Sequence, residues 1–423
     1  MHRRALSFHA ITFAMLVFIA GEVRGEISIH TDFDGGSAKV VSIDQRAHVI
    51  RFKPGGDAAR GWPCWWYFRA EGLPVGEDVT FDVMASEQPL LTDDKRKGKR
   101  VGLVVTGPNH AFMSADCTTW TQTPAGEKKP ADATPPEVMS YRIKATASTL
   151  WLAWGPPFLP KDTAALAEKH ASTWKPFELA RSREGHSITA LRSKPAKADA
   201  PAILVLARQH AWECGGSWVC AGFIEWLASD EAPAVWLREH AKVIAVPIMD
   251  VDRVLTGDGG KEGLPHDHNR DWSDTPHYPE VAAAQKLVRD LVAQQRFAVF
   301  FDLHNPGTGG RSSFFALPKE HLSAIAAERQ TRFIEIARKE FKGAIPFNPI
   351  TRFDGPDYSR FWQQIGKNWV HSHAAPDALK LILETVNNIP AATITGYRET
   401  GADLGRSVAT YLQQEAQPKT PAK

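Results

Sequence analysis

The stretch Ala202-Ile-Leu-Val-Leu-Ala207, running straight into Arg208-Gln-His210-Ala-Trp-Glu213, decides the fold. Six apolar residues in succession, without alternation, predict a strand covered on both faces of a sheet. Such strands belong to α/β domains whose sheet is flanked by helices. Ligands bind there beyond the carboxyl ends of the strands. His210 and Glu213 stand at that end, three residues apart on the turn into a helix, so an imidazole and a carboxylate can aim at one point.

The pattern continues downstream. Residues 218–229 (WVCAGFIEWLAS) have the apolar spacing of a helix, and 243–248 (VIAVPI) read as a second buried strand. An amphipathic helix follows over 279–295, then a third buried strand at 298–303 (AVFFDL) and a helix over 322–341. A fourth strand at 379–383 (LKLIL) and a closing helix at 400–414 complete the alternation. This order predicts a mostly parallel sheet between helices. Upstream, short runs rich in β-branched and aromatic residues recur between turn signals: 47–52, 64–69, 79–83, 101–105 and 150–154. No helix-length period separates them, which points to a β-sandwich. The expected domains are therefore a sandwich over 26–158 and an α/β domain over 159–415, with a flexible tail at 416–423.

The amino terminus reads as a leader over residues 1–25. Arg3 and Arg4 precede an apolar run over 10–20, and small residues lie ahead of Glu26. That run is too short for a bilayer span, and no later segment approaches one. The chain is expected to be exported, periplasmic or secreted. The formal charge of the 423 residues is +2, and the leader, with Arg3, Arg4 and Arg24 against Glu22, accounts for it. A near-neutral remainder gives no electrostatic reason for nucleic acid or an anionic membrane as partner. In an oxidising compartment the four cysteines could form two disulfides, Cys64–Cys117 and Cys214–Cys220 being the economical pairing. Trp62, Trp65 and Trp66 read as core rather than as a sugar platform.

A catalytic zinc takes three protein ligands and leaves a position for water. His304, directly after the 298–303 strand, supplies the third, so His210, Glu213 and His304 form a His₂Glu set at two strand ends. In the Pro/Gly-rich loop Asp267-His-Asn269-Arg270-Asp-Trp272, Arg270 is a fork-shaped donor suited to a carboxylate, and Asn269 can join it. Beside a metal, that pair would hold a peptide's terminal carboxylate.

At this point the chain resembles the zinc carboxypeptidase family, in its cytosolic-carboxypeptidase-like branch. Residues 207–227 (ARQHAWECGGSWVCAGFIEWL) resemble the branch's metal motif. Asn269-Arg270-Asp-Trp272 matches its Asn-Arg-x-Trp, 301–305 (FDLHN) the third-ligand strand, and Leu383-Glu384-Thr385 the strand of the catalytic glutamate. The branch also carries a β-sandwich ahead of the peptidase domain, and 65–69 (WWYFR) and 151–158 (WLAWGPPF) resemble its aromatic segments. The resemblance implies a carboxypeptidase-like fold, one zinc ion, and a peptide substrate with a free carboxy-terminal carboxylate. It further implies that Asp267 orients His210 through the other ring nitrogen. Asn269 and Arg270 would hold the terminal carboxylate. Glu384 would be the general base that takes a proton from the zinc-activated water and passes it to the leaving amine. The family's Arg at the scissile carbonyl is missing: 257–261 reads GDGGK, so Lys261 takes that role or Arg253 reaches in. The usual Asn-Pro-Asp-Gly is degenerate at Asp250-Val-Asp-Arg253. Tyr358 is the candidate for the site tyrosine, and His268 is expected to face solvent or substrate. Two rivals are a zinc deacylase of N-acyl amino acids and a peptide-binding protein on a decayed peptidase scaffold. The missing Arg favours the decayed scaffold; the intact ligand set and Glu384 oppose it.

Overall fold

The computed structural model describes residues 25–92, 95–129, 137–193, 197, 199–307, 310–348 and 352–416. All but the last residue of the expected leader, and the tail beyond Ala416, lie outside them.

The amino-terminal part folds as two five-stranded sheets. One runs in the order Ser28–His30, Tyr67–Glu71, Leu150–Ala153, Phe112–Ser114, Thr121–Gln122; the other in the order Lys39–Asp44, Val49–Lys53, Asp78–Met84, Val138–Lys144, Glu127–Lys129. Their inner faces share one apolar cluster. Phe52 of the second sheet meets Phe68 of the first, and Trp66 just ahead of that strand, edge-on, with ring centroids 4.9 and 5.1 Å apart. Trp62, Trp65 and Trp66 are all buried. The 101–105 run is not a strand: it ends in a short helix, Leu103–Thr106. Leu103 and Thr106 face inward three residues apart, and the carbonyls of Val105 and Thr106 accept the indole N–H of Trp154 and Trp66 at 2.7 and 2.8 Å. Those tertiary bonds override the β preference of the valines.

The second part is one eight-stranded mixed sheet, largely parallel. Its order is Trp174–Arg181, Ser187–Ser193, Lys242–Val246, Ala202–Ala207, Phe297–Gly307, Leu379–Val386, Ser313–Ala316, Arg352–Phe353. Lys242–Val246, Ala202–Ala207, Phe297–Gly307 and Leu379–Val386 are parallel neighbours. Every residue of Ala202–Ala207 is buried, as its unbroken apolar run requires. The helices Cys214–Leu227, Pro279–Ala293, Ala324–Glu340 and Ile394–Ala416 flank the sheet near their expected positions. The antiparallel hairpin Trp174–Arg181/Ser187–Ser193 and the helices Pro160–Lys169, Ala232–His240 and Gly366–His373 were not among the expected elements. No helix among the described residues is long and apolar enough to cross a membrane.

The disulfide expectation is overturned, since all four cysteines are free thiols. Cys214 and Cys220 lie in the same helix, six residues apart. Six residues rise about 9 Å along a helix axis, beyond the Cα separation a disulfide spans. Cys117 lies instead 3.1 Å from the Tyr67 hydroxyl, and Cys64 is buried in the sandwich core. Trp212 and Cys214, from the sheet domain, belong to that same core. The two parts are consecutive along the chain but share apolar packing in space.

Candidate active site

The turn after Ala207 is set by Arg208, a non-glycine residue at φ 63°. Such a conformation persists only when the surroundings hold it. Here the buried guanidinium donates to the Ala211 carbonyl at 2.6 Å and to Ser217 Oγ at 3.3 Å. The turn delivers His210 and then Glu213, the residue immediately before the helix Cys214–Leu227. Gly216 lets that helix approach the neighbouring strand: a Cβ there would lie 2.7 Å from the carbonyl oxygen of Leu303, just before His304. The result is convergence. His210 Nδ1 lies 2.8 Å from one oxygen of Glu213, and His304 Nδ1 lies 2.7 Å from the other. The outer nitrogens are held as well, His210 Nε2 by Asp267 at 3.0 Å and His304 Nε2 by Asp302 at 3.0 Å.

This donor set fits a zinc ion. The ligand atoms of His210, Glu213 and His304 lie within 4.8 Å of one another; among the described residues one other group does so, the more exposed Glu184, His186 and Asp252. The carboxylates on both Nε2 atoms fix the tautomer that leaves Nδ1 as the ligand nitrogen. Three carboxylates around two imidazoles also supply the negative charge a divalent cation needs. Burial works to raise the pKa of Glu213, yet the two imidazoles hold it well below the ordinary value.

The other expected residues surround the same point. Glu384 pairs in register with His304 on the adjacent strand, and with Ile382 it is the part of its strand that lines the cavity. Burial pushes its pKa up to about 6, against the charge of His304. One cavity of about 490 Å³ is lined by His210, Glu213, His304 and Glu384, and also by Lys261, Asn269, Arg270 and Tyr358. Asp267 lies just behind, held well below the carboxylate range because the charge and hydrogen bond of His210, with Arg270 and Lys261, outweigh its burial. Asn269 Oδ1 accepts the Gly366 N–H at 3.0 Å, and its Nδ2 lies 2.9 Å from His304 Nε2. Arg270 donates to the Asn269 carbonyl at 2.8 Å and lies 5.8 Å from the centre of the Tyr358 ring. A larger cavity, about 860 Å³, lies at the amino ends of the strands, by Ala200, Phe297 and Ala378, and contains none of these residues.

Two expectations are corrected. Arg253 does not reach the cavity: its guanidinium is buried against Asp250, the Tyr278 hydroxyl (2.7 Å) and the Leu264 carbonyl (2.9 Å). His268 does not face solvent or substrate. It is buried, with Nε2 2.7 Å from Glu280 and its ring stacked on Tyr278. Both sit in one polar cluster, where the carboxylates of Asp250 and Glu280 face the Arg253 guanidinium and the His268 ring.

Several site residues were missed in the sequence. Asp302 stands two residues before His304, hence on the same face of the strand, a signal that was legible. It is held in turn by Gln209 Nε2 at 2.6 Å, and Gln209 by the Trp272 indole at 2.8 Å. Asp354 lines the cavity and pairs with Lys367 at 2.6 Å, both fully buried. Arg311 and Arg352 form an exposed cationic rim. No local motif marks these last four residues.

Residues 29–154 match the family model described as the cytosolic carboxypeptidase N-terminal domain, and residues 161–275 match that of the zinc carboxypeptidases. The matches lie in tandem and together span more than half the chain. The chain belongs to the zinc carboxypeptidase family, in its cytosolic-carboxypeptidase-like branch. Cytosolic carboxypeptidase 2 of Danio rerio is 32% identical over 134 residues, 30% of this chain and 19% of that one. Cytosolic carboxypeptidase 1 of Homo sapiens is 34% identical over 107 residues, 25% of this chain and 9% of that one. The chain thus matches a fifth or less of these relatives' length. In fold it is similar to a metallo-carboxypeptidase from Burkholderia cenocepacia, with TM-score 0.75 and 20% identity, over 92% of this chain and all of the other. A metallo-carboxypeptidase from Pseudomonas aeruginosa, solved with (2-guanidinoethylmercapto)succinic acid, gives TM-score 0.73 at 21% identity, over 92% of this chain and 99% of the other. Members of the family use one zinc ion, and His210, Glu213 and His304 are the residues here that fit it.

Proposed function

We propose that this chain is a zinc-dependent carboxypeptidase that hydrolyses the last amide bond of a peptide. The observation that carries this reading is the single cavity in which the His210–Glu213–His304 set, Glu384, Lys261 and Arg270 meet. When bound, zinc lowers the pKa of the attacking water and polarises the scissile carbonyl. The rest of the chemistry falls to side chains. Arg270, with Asn269 beside it, takes the peptide's terminal carboxylate in a charge-assisted pair, which brings the last amide bond to Glu384. Glu384 accepts the water's proton and later delivers it to the leaving amine nitrogen. Its raised pKa suits an acid–base group working near neutrality. Lys261 places an ammonium where negative charge develops on the carbonyl oxygen. Burial would lower its pKa, but Asp267, Tyr358 and Glu213 raise it, so it stays charged. Tyr358 covers Arg270 from the exposed side of the cavity. The expected export of the chain points to peptides outside the cytoplasm as substrates.

Purified zinc-loaded protein offered a mixed peptide library should remove single carboxy-terminal residues, read by mass spectrometry, and Glu384→Gln should abolish this. Absence of cleavage by the wild-type enzyme would refute the peptidase reading. Cleavage of N-acyl amino acids alone would then mark the deacylase, and peptide binding without turnover the decayed scaffold.

A further inference from the structure

Lys261 does not stand in the site unaided. Residues 57–62 of the sandwich run alongside residues 258–264 of the sheet domain. Main-chain hydrogen bonds join Trp62 N to the Lys261 carbonyl (2.9 Å), Gly260 N to the Arg60 carbonyl (3.0 Å) and Leu264 N to the Ala59 carbonyl (2.8 Å). Asp258 accepts from the Asp57 amide at 2.8 Å and from Arg60 Nε at 2.6 Å. The two backbones touch at Gly61 and Gly260, both at positive φ, where a Cβ on Gly61 would lie 2.4 Å from the Gly260 nitrogen. Only glycine tolerates that approach in that conformation. The Trp62 ring then lies 5.5 Å from Lys261 Nζ, within cation–π range. Trp62 is buried, stacked on Trp212 at 5.9 Å, with Arg96 4.3 Å from its ring. Trp212 in turn lies one residue before Glu213. The indole therefore stands on a support continuous with the metal-site turn.

We infer that Trp62 is a positioning residue for Lys261, so that the sandwich domain is a working part of the active site. The inference rests on the reading of Lys261 as the cation at the scissile carbonyl. A lysine ammonium on four flexible carbons costs entropy to hold in one place. The main-chain bond fixes where its stem begins, and the ring gives its head a face to rest on. Lysine can thereby do at a fixed point what a planar arginine fork does by shape.

The test is kinetic, on zinc-loaded enzyme. Trp62→Leu should lower kcat about tenfold and leave KM within about twofold, because the cation serves charge that develops after binding. Trp62→Phe, which keeps a ring, should recover most of the loss. In a Lys261→Met background, Trp62→Leu should cost nothing more. Equal losses in both backgrounds, or a phenylalanine variant as impaired as the leucine one, would overturn the inference. A second readout does not depend on turnover. After reductive methylation with carbon-13, the Lys261 signal, assigned by its loss in Lys261→Arg, should be shifted upfield by the indole and move back in Trp62→Leu. An unshifted signal in the wild type would overturn the inference even if the peptidase reading stands. A wild type that cleaves nothing, but shows the shift, would refute the peptidase reading and leave the contact intact.

Discussion

Lys367→Met should destabilise the fold by about 3–5 kcal/mol at neutral pH, the usual cost of stranding one member of a buried ion pair. Lys367 and Asp354 are 0% and 1% exposed, and the ammonium lies 2.6 Å from Asp354 Oδ1. Lys367 also donates to Asn368 Oδ1 at 2.7 Å, whereas Asp354 Oδ2 has no partner. Without the lysine, Asp354 is left as a buried carboxylate with its main cation removed. Burial already holds its pKa above the ordinary value despite Lys367, and the substitution must raise it further. The pH dependence then has a definite sign. Between the unfolded carboxyl's pKa, about 3.9, and the higher folded value, the native state binds more protons, so stability falls as pH rises through that window. The deficit of Lys367→Met against wild type should therefore be largest at pH 7 and shrink toward pH 4. The double variant Asp354→Leu/Lys367→Met should recover most of the loss, since a buried pair replaced by apolar groups is often neutral. Urea unfolding of the three proteins at both pH values measures this. A single-variant loss under about 1 kcal/mol, unchanged with pH, would refute the description of the pair as dry and mutually dependent.

Other outcomes follow from the same structure. Asp302→Asn and Asp267→Asn should each weaken zinc binding about 10–100-fold, because each carboxylate fixes a ligand imidazole; competition with a chelator would show it. Glu213→Gln should lose the metal more completely, since it removes the charge that both Nδ1 atoms face, and metal analysis after dialysis reads this directly. Of the four free thiols, the half-buried Cys117 should react with a thiol reagent in the native state; Cys64, Cys214 and Cys220, buried and with raised pKa values, should react only after unfolding. Fewer than four thiols in the unfolded, unreduced protein would contradict the absence of disulfides.

The parts of the fold legible in the sequence were those set by a single local pattern. Ala202–Ala207 and Phe297–Gly307 could be read because doubly covered strands are continuously apolar, and His210 and His304 because they follow such strands directly. The hairpin Trp174–Arg181/Ser187–Ser193 mixes charged and apolar residues, and its outer strand is partly exposed, so its pattern is weak. The fate of Val101–Val105 depended on two indoles distant in the chain, and that of Arg253 on Tyr278 and Leu264. The spacing of Cys214 and Cys220 suggested a bond only while the helix containing both was thought to begin later. Asp354 and Lys367 became a pair through the packing of the helix Gly366–His373, which no nearby sequence announces.

The glycine-tight seat of the helix Cys214–Leu227 on the strand Phe297–Gly307 divides the cavity into two kinds of wall. The metal side rests on Ala202–Ala207 and on a helix buried over nearly its whole length. Its amides should exchange slowest, opening only with global unfolding, which hydrogen-exchange mass spectrometry would show. The far side carries Arg311, Arg352 and Tyr358, all exposed. Laboratory evolution of a new substrate preference would therefore find its tolerated changes on the far side. On the metal side, a change at residues 202–224 would erode the fold before it altered the choice of peptide.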